Sequence, residues 1–399
     1  MRSRKKFKVR KQGLTPKLIE FVRDIVAIPS PSGEERRVLE RIKKEMEKVG
    51  WRKVRFDGAG NLRGQIGEGS RAIAIDAHAD TVGSGDRREW DCDPYRGRLE
   101  KGWLWGRGTA DQKGGLAAAV YAAEIIIDQG LEDDFILHLV VSVQEEDCEG
   151  LSWNYIIEEE GFIPEAVILT EPSRLGIKRG QRGHAEVLIT TRGESAHSFC
   201  PQKGKNAIYS TARLVGRLEK FASRLPSHPQ FGTGSLAVTA IHSESPSDNS
   251  VPDYCQIRVD RRFWPGATRD SILKEISDLL EDEESVITIP VYRRSSHAGK
   301  ELRGEKFFPS WILEEDHPLI TAARQTSLSA WGEEAPVGTW GFSTNGVSTM
   351  AKHGIPTFGL GPGREDMAHR PNERVEVEEL LKASTFYAHF PRVYCRALI

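Results

Sequence analysis

Apolar and polar positions along this chain keep one rhythm, exchange it for a second near Lys178, and then return to the first. At the start, Leu18, Ile19, Val22, Ile25 and Val26 recur at helical spacing, and Thr15-Pro16 ahead of them reads as a cap followed by a proline in the first turn. Ser32 and Glu35 have capping-box spacing before a second helix, whose apolar stripe is Val38, Leu39, Ile42 and Met46 and whose stop is Gly50. Continuous apolar runs at 72–76 (AIAID), 135–143 (FILHLVVSV) and 166–170 (AVILT) predict buried strands, and 114–128 and 151–160 predict helices between them. Such alternation predicts an α/β domain, with a mixed sheet covered by helices on both faces.

From 184 to 192 (HAEVLITTR) the period becomes two, the mark of a half-buried antiparallel strand. A helix at about 205–222, strands at 235–242 and 253–263, a helix at 268–282 and a strand at 286–293 complete a β-α-β-β-α-β order, the ferredoxin-like pattern. After Gly304 the first rhythm resumes, with a helix at 317–331, a strand at 355–360 and a helix from about 376. The chain therefore divides into a basic tail (1–12), a larger domain in two parts (13–177 and 301–399) and an inserted α+β domain (178–300).

Composition narrows the class. Apolar residues make up 38% and charged residues 29%, the balance of a water-soluble enzyme. No apolar run approaches the roughly 20 residues that span a bilayer. The basic N-terminus lacks the apolar segment of a secretory signal, so the expected address is cytoplasmic and no membrane partner is expected. Five dispersed cysteines without a Cys-x-x-Cys pair read as reduced thiols. Residues 1–12 carry seven basic side chains and no acid, so the rest of the chain is more acidic than the net charge of −2. A body of that sign does not suit nucleic acid, and the tail reads as a solvated end.

The candidate chemistry lies where predicted strands stop, the place where open α/β sheets gather ligands. His78 and Asp80 follow the first run, Glu145 and Glu146 the second, and Glu171 the third. Asp111 ends a glycine-rich turn before the 114–128 helix, and His369 follows the loop from Gly359 to Gly363. Each has a plainer explanation alone: a hydrogen-bonded histidine, a solvated acidic turn, a helix cap. Together, five regions bring hard oxygen and nitrogen donors to one sheet edge, as a zinc-type site requires.

The segments His78-Ala-Asp80-Thr81-Val82, Gly106-Arg107-Gly108-x-x-Asp111-x-Lys113-Gly114-Gly115, Glu145-Glu146, Glu171-Pro172 and His369-Arg370-Pro371-Asn372-Glu373 resemble, in order and over nearly the whole chain, a known family. It is that of acetylornithine deacetylase, succinyl-diaminopimelate desuccinylase and glutamate carboxypeptidase. The wording is most similar to the hydrolases linked to selenium metabolism. The resemblance implies a zinc-peptidase-like catalytic domain whose insert is a lid and dimerisation domain, and hence a homodimer. It implies two divalent metal ions, zinc first, with cobalt and manganese also fitting. His78 and Glu171 would hold one, Glu146 and His369 the other, and Asp111 would bridge them; Asp80 would orient the His78 ring. A hydroxide generated between the ions would attack an amide, with Glu145 as general base.

By the same resemblance His197, in Glu194-Ser195-Ala196-His197-Ser198, would cross from the partner subunit to steady the oxyanion. Arg262, with Arg261 as competitor, would grip a substrate carboxylate, and Asn206 would bond the substrate from the lid. Asn345 would face the substrate from the loop Gly341–Gly346, where many relatives carry an aspartate. A cis peptide is expected after Asp111. The other histidines (His138, His184, His228, His242, His297, His317, His353 and His389) match no family role and read as structural.

The reading is hydrolysis of an amide in a small N-acyl amino acid or peptide-like substrate. A dipeptidase or aminopeptidase and a carbamoyl-amide hydrolase use the same chemistry, and the reading of another class is an inactive small-molecule-binding protein on this fold.

Overall fold

The run AIAID lies at the centre of the larger sheet in the computed structural model, which describes residues 11–132, 135–280 and 285–397. Its strand, Ala72–His78, pairs in parallel with Ile136–Ser142 on one side and Ala166–Leu169 on the other, and Thr357–Gly359 extends the parallel core. Antiparallel strands close both edges: Arg52–Phe56 and Leu62–Ile66 on one, Ile177–Gln181 and Trp311–Ile312 on the other. Central strands of such a sheet are covered on both faces, which is why their sequences are apolar runs and not alternations.

Alternate residues of these strands enter two cores. Ile73, Ile75, Leu137, Leu139 and Ile168 face the helices Lys11–Val26, Arg36–Val49, Lys113–Asp128, Pro318–Trp331 and Val377–Ala397. Ala74, Val140, Val167 and Leu169 pack on the other face against Trp153 and Ile156 of the helix Leu151–Glu158, with Trp311 and Trp340. The mixed-sheet α/β architecture with an inserted second unit is therefore as the rhythm predicts.

The second unit is an antiparallel sheet in the order Ser235–Glu244, Tyr254–Phe263, Gly183–Arg192, Ser285–Thr288. The helices Ala207–Ala222 and Arg269–Ser277 cover one face and build a separate core with Val187, Ile189, Ile257 and Val259. The chain leaves the large sheet after Gln181 and rejoins it at Trp311.

Three local expectations change. The first helix begins at Lys11 and contains Pro16, so Thr15 is no cap. A proline near a helix end removes one backbone donor only, a loss that the burial of Leu18, Val22 and Ile25 outweighs. The second helix begins at Arg36 without a side-chain cap. Ser32 donates instead to Asp80 (2.7 Å), and Glu35 accepts from the backbone N–H groups of Gly33 (2.8 Å) and Gln144 (3.0 Å). The strand expected at 286–293 breaks before Pro290, which cannot donate to a ladder. Val291–Ser295 then forms a hairpin with Glu301–Glu305 that returns to the large unit: Tyr292 donates to the Gln144 side chain (3.0 Å), and Arg294 pairs with Asp147 (3.0 Å).

His138, in the strand Ile136–Ser142, packs its ring 4.6 Å from that of Phe162. Burial, aided by Arg63 and Lys53, lowers its pKa from 6.5 to about 4. Between these values the unfolded chain binds the extra proton, so stability is lost as pH falls from 6.5 to about 4. Replacing His138 by Phe is expected to remove about 2–3 kcal/mol of that acid loss. Urea unfolding of both proteins at neutral and acid pH measures it.

Candidate metal centre

Strand register brings the candidate residues together. His78 pairs with Ser142, and Asp76 with Leu169, so the neighbouring strands stop nearly level. The chain turning out of Ile136–Ser142 delivers Glu145 and Glu146, and the turn after Ala166–Leu169 delivers Glu171. Asp111 arrives from the turn before Lys113–Asp128, ahead of a cis Asp111–Gln112 peptide, and His369 from the loop after Thr357–Gly359. The helix N-terminus sits tight on the strand end: a side chain on Gly115 would put its Cβ 2.5 Å from the Thr170 carbonyl oxygen.

Asp111 is the hinge of the geometry. Its Oδ1 lies 3.2 Å from His78 Nε2 and its Oδ2 3.2 Å from His369 Nε2. On the His369 side Glu146 Oε2 is 2.9 Å from the ring nitrogen. On the His78 side Glu171 Oε1 is at 3.7 Å and Glu145 Oε2 at 3.8 Å from Nε2. The cluster thus falls into two halves sharing one carboxylate. Two overlapping sets, His78 with Glu145 and Glu171 and His78 with Asp111 and Glu146, keep their donor atoms within 4.8 Å of one another.

Charge is out of balance here. Burial pushes Glu145, Glu146 and Glu171 above the usual carboxylate range, and neighbouring carboxylates add to it. His369 is raised to about 10 by Asp111 and Glu146. Burial opposes charge on His78, yet Glu145, Asp111 and Glu171 outweigh it and hold the ring well above its ordinary value. Glu145 Oε1 is buried without a hydrogen-bond partner. Crowded hard donors with an orphaned oxygen fit divalent cations.

Supporting residues fix the cluster. Asp80 does so differently from the expectation: His78 Nδ1 is 2.9 Å from the Asp80 backbone oxygen but 3.6 Å from its carboxylate. That carboxylate is spent on Ser32 and on the N–H groups of Glu145 (3.2 Å) and Glu146 (3.0 Å), so it sets the acidic turn. Gln112 donates to Glu171 (2.7 Å). Glu373, fully buried, accepts from the N–H groups of Ala110 (2.8 Å) and Asp111 (3.0 Å) and from Arg107 (2.6 Å). Neither Gln112 nor Glu373 is singled out by sequence. Glu373 stands four residues after His369 in the recognised motif, and only its position there was a signal.

Beside the cluster opens a cleft of about 370 Å³ whose lining includes Glu149, His184, Arg262, Lys306, Phe308 and Phe342. Arg262 reaches it; Arg261, on the opposite face of the strand, is bound to Glu275 (2.7 Å). Asn345 does not reach it. Its amide donates to Asp76 (3.0 Å) and Ser142 (3.1 Å) and accepts from Gly150 N–H (2.8 Å), so it is a buried brace and not a substrate contact. Asn206 caps the helix Ala207–Ala222 through Ile208 N–H (2.9 Å), and His197 lies exposed beside Phe199; neither lines this chain's cleft. His184, set aside by sequence, lines it.

A two-part cluster of this composition on a mixed sheet defines a metallohydrolase. Residues 74–392 match the model of peptidase family M20/M25/M40, and the chain belongs to that family. It is 45% identical over 376 residues to the uncharacterized protein YgeY of Escherichia coli K12, covering 94% of this chain and 93% of that one. It is 29% identical to the succinyl-diaminopimelate desuccinylase of Cereibacter sphaeroides KD131, over 94% and 98% of the two chains. Its fold matches the Bacillus subtilis YXEP protein, a dinuclear metal-binding peptidase, with a TM-score of 0.71, 15% identity and coverage of 96% and 99%. The chain is accordingly a hydrolytic enzyme of the metallopeptidase and amidohydrolase kind. Among the described residues no helix is long and apolar enough to cross a membrane.

Glu373→Gln keeps the shape but leaves the Arg107 guanidinium buried without its counter-charge. A loss of about 3–5 kcal/mol is expected, measured by urea unfolding of the metal-free protein at pH 7.

Proposed function

We propose that this enzyme hydrolyses an amide bond in a small N-acyl amino acid or peptide-like substrate, using two divalent metal ions. The observation that carries the reading is the pair of half-sites sharing Asp111. His78 and Glu171 would hold one ion, His369 and Glu146 the other, and Asp111 both. Zinc fits these donors, as do cobalt and manganese. When bound, the ions would supply Lewis acidity and a water of lowered pKa.

The chain's own residues do the rest. Glu145, with one oxygen unpartnered, takes a proton from water and returns it to the leaving nitrogen. Asp80 holds the Glu145–Glu146 turn, and Glu373 holds Asp111. Arg262 binds a substrate carboxylate. The cleft volume suits a small molecule. Dipeptides and carbamoyl amino acids remain within the same chemistry.

Homodimerisation through the small unit completes the proposal. Among the described residues the edge strand Ser235–Glu244 has no neighbour on its outer side, and Ile241 on it is 59% exposed. A long apolar edge of this kind suits pairing with a second copy. His197, exposed, and Asn206, half-buried, on the same unit would then enter the partner's cleft. Five dispersed cysteines without a Cys-x-x-Cys pair suit a reducing cytoplasm.

The test is amine release from pooled N-acyl amino acids, dipeptides and carbamoyl amino acids by chelator-stripped protein reloaded with zinc, cobalt or manganese. Glu145→Ala is expected to lose on the order of 10²–10⁴ in rate while binding as much metal by elemental analysis. Failure to bind metal overturns the site and leaves the binding-protein reading.

Mixing inactive Glu145→Ala with inactive His197→Ala protein tests the exchange between subunits. Hybrid dimers hold one intact site, so activity is expected to return; its absence places His197 within its own subunit or outside the reaction.

A further inference from the structure

The cleft wall carries more charge than amide hydrolysis uses, and all but one of its charged groups are already claimed. Asp260 holds Arg262 through Nε (3.0 Å) and Nη2 (3.3 Å) and lies 2.8 Å from His184 Nε2. Lys306 is bound to Glu186 (3.2 Å) and to the backbone oxygen of Asp147. Glu149, lining the same wall, is different: among the described residues no side chain pairs with its carboxylate.

We propose that Glu149 sets the specificity of the cleft by binding a protonated amino group, so that the substrate is an amide carrying a free ammonium. The proposal rests on the hydrolase reading and names the substrate class for it.

Three further observations support it. The main chain around Glu149 is held in place: the next residue, Gly150, donates to Asn345 (2.8 Å), and Asp147, two residues before it, is bound by Arg294 (3.0 Å). A fixed main chain narrows where the carboxylate can stand, which favours discrimination. Arg262, clamped on one edge by Asp260, keeps Nη1 without a protein acceptor among the described residues, ready for a carboxylate. His184 is only 8% exposed, yet among the described residues its Nδ1 has no hydrogen-bond partner, as a wall awaiting a polar ligand would have it. A guanidinium edge still open and a carboxylate without a side-chain partner together suit a substrate with both an anionic and a cationic end. Burial holds the Glu149 carboxyl above its usual range although His184, Arg262 and Lys306 pull it down, so a cost is left that an arriving ammonium relieves.

The experiment uses matched pairs on the metal-loaded enzyme: Nα-acetyl-L-lysine against Nα-acetyl-L-norleucine, and L-alanyl-L-alanine against its N-acetylated form. The expected result is a preference in kcat/KM of about tenfold to a hundredfold for the ammonium-bearing member of one pair, collapsing to near unity in Glu149→Gln. The responsive pair tells whether the ammonium is a side-chain or a terminal amine. Calorimetric titration with L-lysine and L-norleucine repeats the comparison without turnover. Turnover with no preference in either pair, or a preference that survives Glu149→Gln, overturns the proposal and leaves the hydrolase reading intact. Selective lysine binding that Glu149→Gln abolishes, without turnover of any substrate, keeps the subsite and defeats the hydrolase reading. No preference in any assay overturns the proposal.

Discussion

Mutual repulsion among buried carboxylates is the constraint to which the rest of this structure answers. Asp111, Glu145, Glu146 and Glu171 crowd two imidazoles at one sheet edge. At 4 Å a like-charged pair costs about 4 kcal/mol in a partly screened interior. Left to itself such a group would splay into water. The chain prevents this with backbone N–H groups gathered by a second ring of acids: Asp80 takes those of Glu145 and Glu146, Glu373 those of Ala110 and Asp111, and Glu35 that of Gln144. The scaffold thus fixes the main chain on which the crowded side chains stand and leaves their oxygens for cations.

Most of the fold was legible because its signals are periodic. The apolar runs at 72–76, 135–143 and 166–170 had no other reading than buried strands, and the period-two stretch at 184–192 marked the second sheet. The first-ring candidates were legible for a related reason, since a strand end is a place the sequence can locate. Local chemistry with two possible partners was not legible. Ser32 and Glu35 have capping-box spacing, but Asp80 and Gln144, distant in sequence, offered better hydrogen bonds. Asn345 sits in a glycine-rich loop that looks like a substrate contact, and buried Asp76 claimed its amide. His184 and Glu149 matched no motif, and only the approach of two sheets makes them neighbours.

Family membership and specificity belong to different parts of the molecule. The desuccinylase relative is similar over nearly the whole chain, and the peptidase of similar fold has the same architecture. The wall formed by Arg262, His184, Lys306 and Glu149 comes from both units at once, whereas the cluster stands on the large unit alone. Fold kinship therefore identifies the reaction type more readily than the molecule on which it is performed.

The sheet order carries a consequence for how the chain folds. The strand Thr357–Gly359 lies between Ala166–Leu169 and Ile177–Gln181, residues that precede it by nearly half the chain. Emerging from the ribosome, the first 181 residues thus have a sheet with a gap in it. The small unit, whose strands and helices lie within one continuous stretch, can close its own core before that gap is filled. Contacts of such long sequence separation form late, and the unfilled slot exposes strand edges in the meantime. Because His369 arrives just behind the missing strand, the cluster is assembled by the same event that completes the sheet, and a nascent chain carries no finished site.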